Sequence, residues 1–234
     1  MTISLDIEIY LSKKNFTAQD AINNLLCFAE LIQKITHAEN WFSPGYSEKK
    51  SLEHKIIDRG VINHSEADSL IKKLNKTHPI FVTSIWNYSG GIRIQNYSCD
   101  NVDNFRLTFS LEVENNMGLA TNIKNVLLNI LNTKDNIVVM FVNTNQYQLN
   151  NKHVFPDRIP VGWMLYLNKQ ITNEQAGVKA GLISVSNEKN TGTLVISTNE
   201  VFDGTNENHV RNANEIEIQL AAHGLLPTYQ NIYD

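Results

Sequence analysis

The run "RLTFSLEVENNMGLATNIKNVLLNILNTKDNIVVMFV", Arg106 to Val142, carries three different periodicities and decides the fold class. Leu107, Phe109, Leu111 and Val113 alternate with Arg106, Thr108, Ser110 and Glu112, the pattern of a strand with one wet face. Leu119, Ile123, Val126, Leu127, Ile130 and Leu131 then recur at helical spacing, so a helix follows with one apolar stripe. Asn136 to Val142, "NIVVMFV", is apolar without alternation, as a central strand buried on both faces would be.

Upstream, Ile3, Leu5, Ile7 and Ile9 alternate with polar residues in a second one-sided strand. Thr17, with Asp20 three residues on, has the form of a helix cap, and Ile22, Leu25, Leu26, Ala29, Ile32 and Ile35 supply the apolar face. Pro44 and Gly45 break that helix in a loop anchored by Trp41 and Phe42, and Ser65 begins a second, short helix. Phe81–Asn87, which includes Trp86, and Ile92–Tyr97 flank the turn Tyr88-Ser-Gly-Gly91, a hairpin signal. Strands at Trp163–Leu167, Leu182–Val185 and Thr193–Ser197 lead to a last helix from about Glu207 to Ala222, stopped by Gly224 and Pro227. The expectation is an α+β fold, mainly antiparallel sheet covered by helices on one side. It forms one domain, 1–234, in which 1–135 and 136–234 each end as strands followed by a helix.

The totals exclude several classes. A net charge of −4, split as 12 basic and 14 acidic residues to Met117 and 8 and 10 beyond it, offers no basic arm for nucleic acid. Two cysteines, Cys27 and Cys99, make no disulfide framework. The first residues lack a basic and then apolar leader, and no apolar run approaches the ~20 residues of a membrane helix. A protein of the cytoplasm is the expectation.

"HVFPDRIPVGWMLYL" (His153 to Leu167) sets Asp157 beside Arg158 in a turn fixed by Pro156 and Pro160. A metal-dependent nuclease core would need a later acid-x-Lys to join such an acid, and none follows Asp157. The alternative is a structural corner, with Asp157 capping backbone amides, Gly162 in the turn and Trp163 packed beneath. The seven histidines stand singly, no cysteine pair has zinc spacing, and Asp203-Gly-Thr-Asn-Glu207 lacks the full calcium-loop pattern. No nucleophile elbow, phosphate loop or dinucleotide fingerprint is present, so no catalytic residue, metal or cofactor is assigned. An enzyme with a dispersed site around Asp157, Arg158, Asp203 and His209 stays open as a rival. One surface feature stands out: Glu200, Asp203, Glu207, Glu215 and Glu217 against the single Arg211. It reads either as a solvated helix face or as a patch that steers a basic partner.

Four blocks in order carry a resemblance: "NWFSP" (Asn40 to Pro44), "SIWNYSGG" (Ser84 to Gly91), "VFPDRIPVGWMLYL" (Val154 to Leu167) and "VFDGTNENHVRNANEIEIQLAAHGLLP" (Val201 to Pro227). Trp41, Trp86, Phe155, Pro156, Asp157, Arg158, Gly162, Trp163, Phe202 and His209 are its motif residues. The sequence resembles the immunity protein 52 family of bacterial polymorphic toxin and type VI secretion systems. It departs at Asn206-Glu-Asn-His209, where the family tends to have Asn-Pro-Glu-His. The resemblance implies a cytosolic antitoxin that binds and blocks a cognate secreted nuclease toxin of restriction-endonuclease-like fold, with no cofactor and no direct contact to nucleic acid or membrane.

Overall fold

A computed structural model describes residues 2–144, 147 and 152–234. The chain begins with β1 (Thr2–Ser12), α1 (Ala18–Leu31), α2 (Gln33–Thr36), β2 (Trp41–Phe42) and α3 (Glu48–Leu52). It continues through β3 (Lys55–Asp58), β4 (Val61–Ile62), α4 (His64–Leu74), the hairpin β5 (Val82–Asn87) and β6 (Gly90–Asn96), then β7 (Asn104–Glu114) and α5 (Leu119–Thr133). After these come β8 (Ile137–Thr144), β9 (Met164–Leu167), α6 (Asn173–Ala176), β10 (Gly181–Ser186), β11 (Thr191–Ile196) and α7 (Glu207–Ala222). The strands form one 11-stranded sheet in the order β10-β11-β9-β8-β1-β7-β6-β5-β2-β3-β4, and every described pairing is antiparallel.

Local chemistry explains the elements. Thr17 and Asp20 form the full capping box of α1, each side chain bonding the other's backbone N–H. α4 starts at His64, one residue before the expected Ser65, because the Asn63 side chain caps it through the Glu66 N–H. The β5–β6 turn is tighter than four residues: Asn87 pairs with Gly90, and Gly90 takes φ +137. A Cβ on Gly90 would stand 1.9 Å from the Ser110 carbonyl oxygen, so only glycine lets β7 pass.

β1 lies inside the sheet, with β7 on one side from Thr2↔Glu114 to Ser12↔Asn104 and β8 on the other from Leu5↔Thr144. Strands from before and after residue 135 therefore share one sheet, joined at β1. On one face Leu5, Ile7 and Ile9 meet the apolar stripes of α1, α4 and α5. The expectation of helices on one side alone is corrected at α7. Val139, Phe141, Leu165, Leu167 and Val195 point to the opposite face, where Ile216 and Leu220 of α7 and Leu226 and Ile232 of the C-terminal tail bury them. β8 and β9 are apolar on both sides, so a single helical layer would leave Phe141 and Leu165 in water at a cost of about 1.5–3 kcal/mol each. α7 and the tail cover this second face only as far as Tyr10, whose ring meets those of Tyr97 at 5.6 Å and Tyr233 at 6.3 Å. Beyond Tyr10, among the described residues, neither α7 nor the tail covers it.

Candidate partner-binding surface

The "FPDRIP" corner is structural, but not through its acid. Ile159 N–H donates to the Pro227 carbonyl (3.1 Å), Tyr229 N–H to the Asp157 carbonyl (3.0 Å), and the Arg158 guanidinium to the Leu226 carbonyl. Arg158 also lies 5.8 Å from the centroid of the half-buried Phe155 ring. Pro156 and Asp157 are exposed, and among the described residues the Asp157 carboxylate accepts no hydrogen bond, which corrects the capping role expected of it. Asp157→Ala is therefore expected to leave thermal stability within about 0.5 kcal/mol, whereas Arg158→Ala loses about 1.5 kcal/mol with its charge-assisted bond. Urea unfolding of the two variants side by side measures this; a larger loss for Asp157→Ala would restore the capping role.

Ile159 and Val161 of the corner pack on one face of the sheet. Trp163, expected beneath them, is fully buried on the other, in the main core with Met164 and Phe202, its Nε1–H bonded to the Thr198 carbonyl (3.2 Å). Its backbone N–H donates to Oδ1 of buried Asn143 (3.1 Å), which packs against Gly162. Trp41 is buried in the main core, and Trp86 is half-buried, its ring tilted 38° to that of Phe42 at 5.2 Å and bonded through Nε1–H to Ser51 Oγ at 2.5 Å.

The acidic segment divides into three parts. Glu200, Asp203 and Glu207 are exposed around the N-terminus of α7. Asp203 Oδ1 accepts from Thr205 N–H (2.8 Å) and Oγ1 (2.7 Å), and these bonds hold its carboxyl below the ordinary range. His209 is buried and pins the same turn: Nδ1 accepts from Asp203 N–H at 3.0 Å, leaving Nε2 as the donor nitrogen 3.4 Å from Glu200. Phe202 backs it at 5.7 Å and stands edge-on to Tyr147 at 5.3 Å. Glu215 is on the helix flank, paired with Lys179 at 2.8 Å and near Arg211 at 3.9 Å.

Glu217 is not surface at all. It is 0% exposed, and its carboxylate accepts from the N–H groups of Val154 (2.9 Å) and Phe155 (3.1 Å) and from the Tyr147 hydroxyl (3.2 Å). Burial holds its carboxyl above the ordinary glutamate range, outweighing those bonds. The spacing Ala213–Glu217–Leu220 on the buried face of α7 was the available signal, masked by the charge of the residue itself. The contact surface expected of the acidic segment thus shrinks to Glu200, Asp203, Glu207 and the half-neutralised Glu215.

The rival catalytic group does not assemble. Asp157 and Arg158 are fastened to Leu226 and Tyr229 beyond the C-terminus of α7, while Asp203 and His209 stand at its N-terminus. A helix of 16 residues puts roughly 24 Å between those ends. Among the described residues no three His, Cys, Asp or Glu converge as a metal site would require, and no helix is long and apolar enough to cross a membrane.

A family model described as Immunity protein 52 matches residues 112–229, half of the chain. No curated protein matches. Among solved structures, the Pseudomonas aeruginosa T6SS protein PA0821 is similar with TM-score 0.55 and 9% sequence identity, over 94% of this chain and 76% of that one. Identity so low shows a common fold and no more. The substrate-free duplicated taurocyamine kinase from Schistosoma mansoni matches at TM-score 0.24 and 8% identity, over 94% of this chain and 33% of that one, and carries no argument.

Proposed function

The chain belongs to the immunity protein 52 family, and from that premise we propose that it binds and neutralises a cognate toxin in the cytoplasm of the cell that makes it. The toxin is a secreted nuclease domain, and the protein acts by occlusion, laying a rigid exterior over the cleft or groove that holds nucleic acid and converting nothing itself. Family membership supports the role, and the fold shared with a T6SS protein supports a type VI effector as the source of the toxin. One observation carries the location: Glu200, Asp203 and Glu207 stand exposed on a helix end that His209 and Phe202 hold from within. A groove that binds phosphates is basic, and preformed carboxylates steer such a surface into place before contact.

The test is co-expression with the C-terminal nuclease domain of a secreted toxin, sought first among the genes beside this one. Cells should survive, and calorimetry should show a one-to-one complex. The triple variant E200K/D203K/E207K should associate about tenfold more slowly at low salt and lose most of the salt dependence of that rate. Glu217 is left out of the variant because a lysine there would unfold the corner instead of probing the surface. An unchanged association rate would move the contact away from this helix end.

A further inference from the structure

Where α7 and the tail stop, at Tyr10, Tyr97 and Tyr233, the second face of β1, β7 and β6 opens to solvent among the described residues, bounded on the β5 side by Trp86, which leans on Phe42 and on Ser51 of α3. Cross-strand register sets this face in rows, Glu8–Thr108–Arg93–Ser84 and then Asp6–Ser110–Gly91–Trp86. An open antiparallel face is ordinary when its side chains are small and polar. This one holds an aromatic shelf: Tyr88 is 75% exposed and edge-on to Trp86 at 5.9 Å, and Val82 in the same strand is 53% exposed. Gly91 leaves a notch between Trp86 and Ser110. The nearest atoms an added Cβ would meet there are the Ile85 carbonyl oxygen at 3.3 Å and the Trp86 Cβ at 3.7 Å, both to one side.

The opposite wall is acidic. Glu8 is answered within the chain by a two-pronged pair with Arg106, at 2.7 and 2.9 Å. Asp6 and Glu112 have no lysine or arginine partner among the described residues. Burial raises the Asp6 carboxyl above its ordinary range, the Ser110 hydrogen bond opposes this, and repulsion from Glu8 and Glu112 adds to it. The sheet thus holds Asp6 and Glu112 close together beside the rings of Trp86 and Tyr88; of the cations on this face, Arg106 is committed to Glu8, and Arg93, in the next row, makes no ion pair with either acid among the described residues.

We propose that this open face is the anchoring half of the toxin-binding surface, built for arginine or lysine side chains of the partner that enter over Gly91. The stem of such a side chain lies against Trp86 and Tyr88, and its cation points to Asp6 and Glu112. Gly91 and Asp6 are two strands apart, roughly 10 Å, a span that an arginine and an aspartate side chain close between them. The proposal rests on the function above and deepens it by naming where the partner is held. Register places Asp6, Glu112, Thr144, Trp163 and Ser197 at one end of the sheet, so Glu200 follows at that same end. From β7 to β11 is four strand spacings, roughly 19 Å, so one partner covering about 800 Å² reaches both places. The helix end steers and the sheet face holds.

The experiment uses the same toxin domain and the double variant Y88A/E112K, both positions being exposed and outside the core. Circular dichroism should match the wild type. Dissociation should be about thirty-fold faster, the size of losing a central anchor, with little change in association. The steering variant E200K/D203K/E207K should show the reverse split. If the wild-type chain binds the toxin and Y88A/E112K dissociates at the same rate, the sheet-face inference fails and the function stands. If the wild-type chain binds no toxin, both fail. Self-association of the wild type that Y88A/E112K abolishes would assign the face to a second copy and also overturn the inference.

Discussion

Glu217→Ala is expected to cost about 4 kcal/mol of folding stability, which for a domain of this size lowers the melting temperature by roughly 10 °C. The carboxylate is the acceptor for two backbone N–H groups, Val154 and Phe155, and for the Tyr147 hydroxyl, all at 3.2 Å or less. Truncation leaves the two amides without a described partner at about 1–3 kcal/mol each and opens a void, while Tyr147 retains Asn214 at 3.2 Å. Glu217→Gln keeps one acceptor oxygen and the volume, so it should lose about half as much. Its pH dependence has a fixed sign. The folded carboxyl titrates above the ordinary range, chiefly because it is buried, so folded protein holds that proton more tightly than unfolded chain does. The stabilisation from this linkage is complete below the ordinary glutamate pKa and is lost as pH rises through the raised folded value. Urea unfolding over that interval should show wild type losing stability relative to Glu217→Gln; the opposite slope would contradict a carboxyl raised by burial.

Gly162→Ala is expected to be comparably severe, about 4 kcal/mol, from a position that looks innocuous. Gly162 has φ +51, where alanine costs about 1 kcal/mol. Its missing Cβ is also the space that Asn143 fills: an added Cβ would lie 1.4 Å from Asn143 Oδ1. Asn143 is 0% exposed and is the acceptor for Trp163 N–H, so moving it breaks that bond and shifts the strand carrying Trp163. A melting temperature within a degree or two of wild type would show that the corner yields more easily than this packing allows.

The strand pattern of Arg106–Val113, the α5 stripe and the Thr17 capping box were all legible because each depends on neighbours a few residues away. "NIVVMFV" announced burial on both faces, and with it the need for a second cover, although it did not say that α7 and the tail provide it. Pairing was not legible. β1 sits between β7 and β8, partners more than 90 and 120 residues distant, and nothing local specifies that register. For the same reason Asp6, Gly91, Glu112 and Trp86 could each be read singly as wet-face residues, but not as one surface. Glu217 failed in the other direction, because its charge argued for solvent while the spacing of Ala213 and Leu220 turned it inward. Asp157 failed because turn chemistry predicts a capping acid, whereas here Arg158 and the Pro227 and Leu226 carbonyls tie down the corner.

The claim on which all of this depends is that protection comes from covering the toxin, one molecule for one. Titrating a fixed amount of the purified toxin domain with this protein and following cleavage of DNA measures that directly. Activity should fall in a straight line to zero at one equivalent and stay there whatever the incubation time. Activity that is untouched at a large excess, or that disappears at a small fraction of an equivalent and faster with longer incubation, would contradict it.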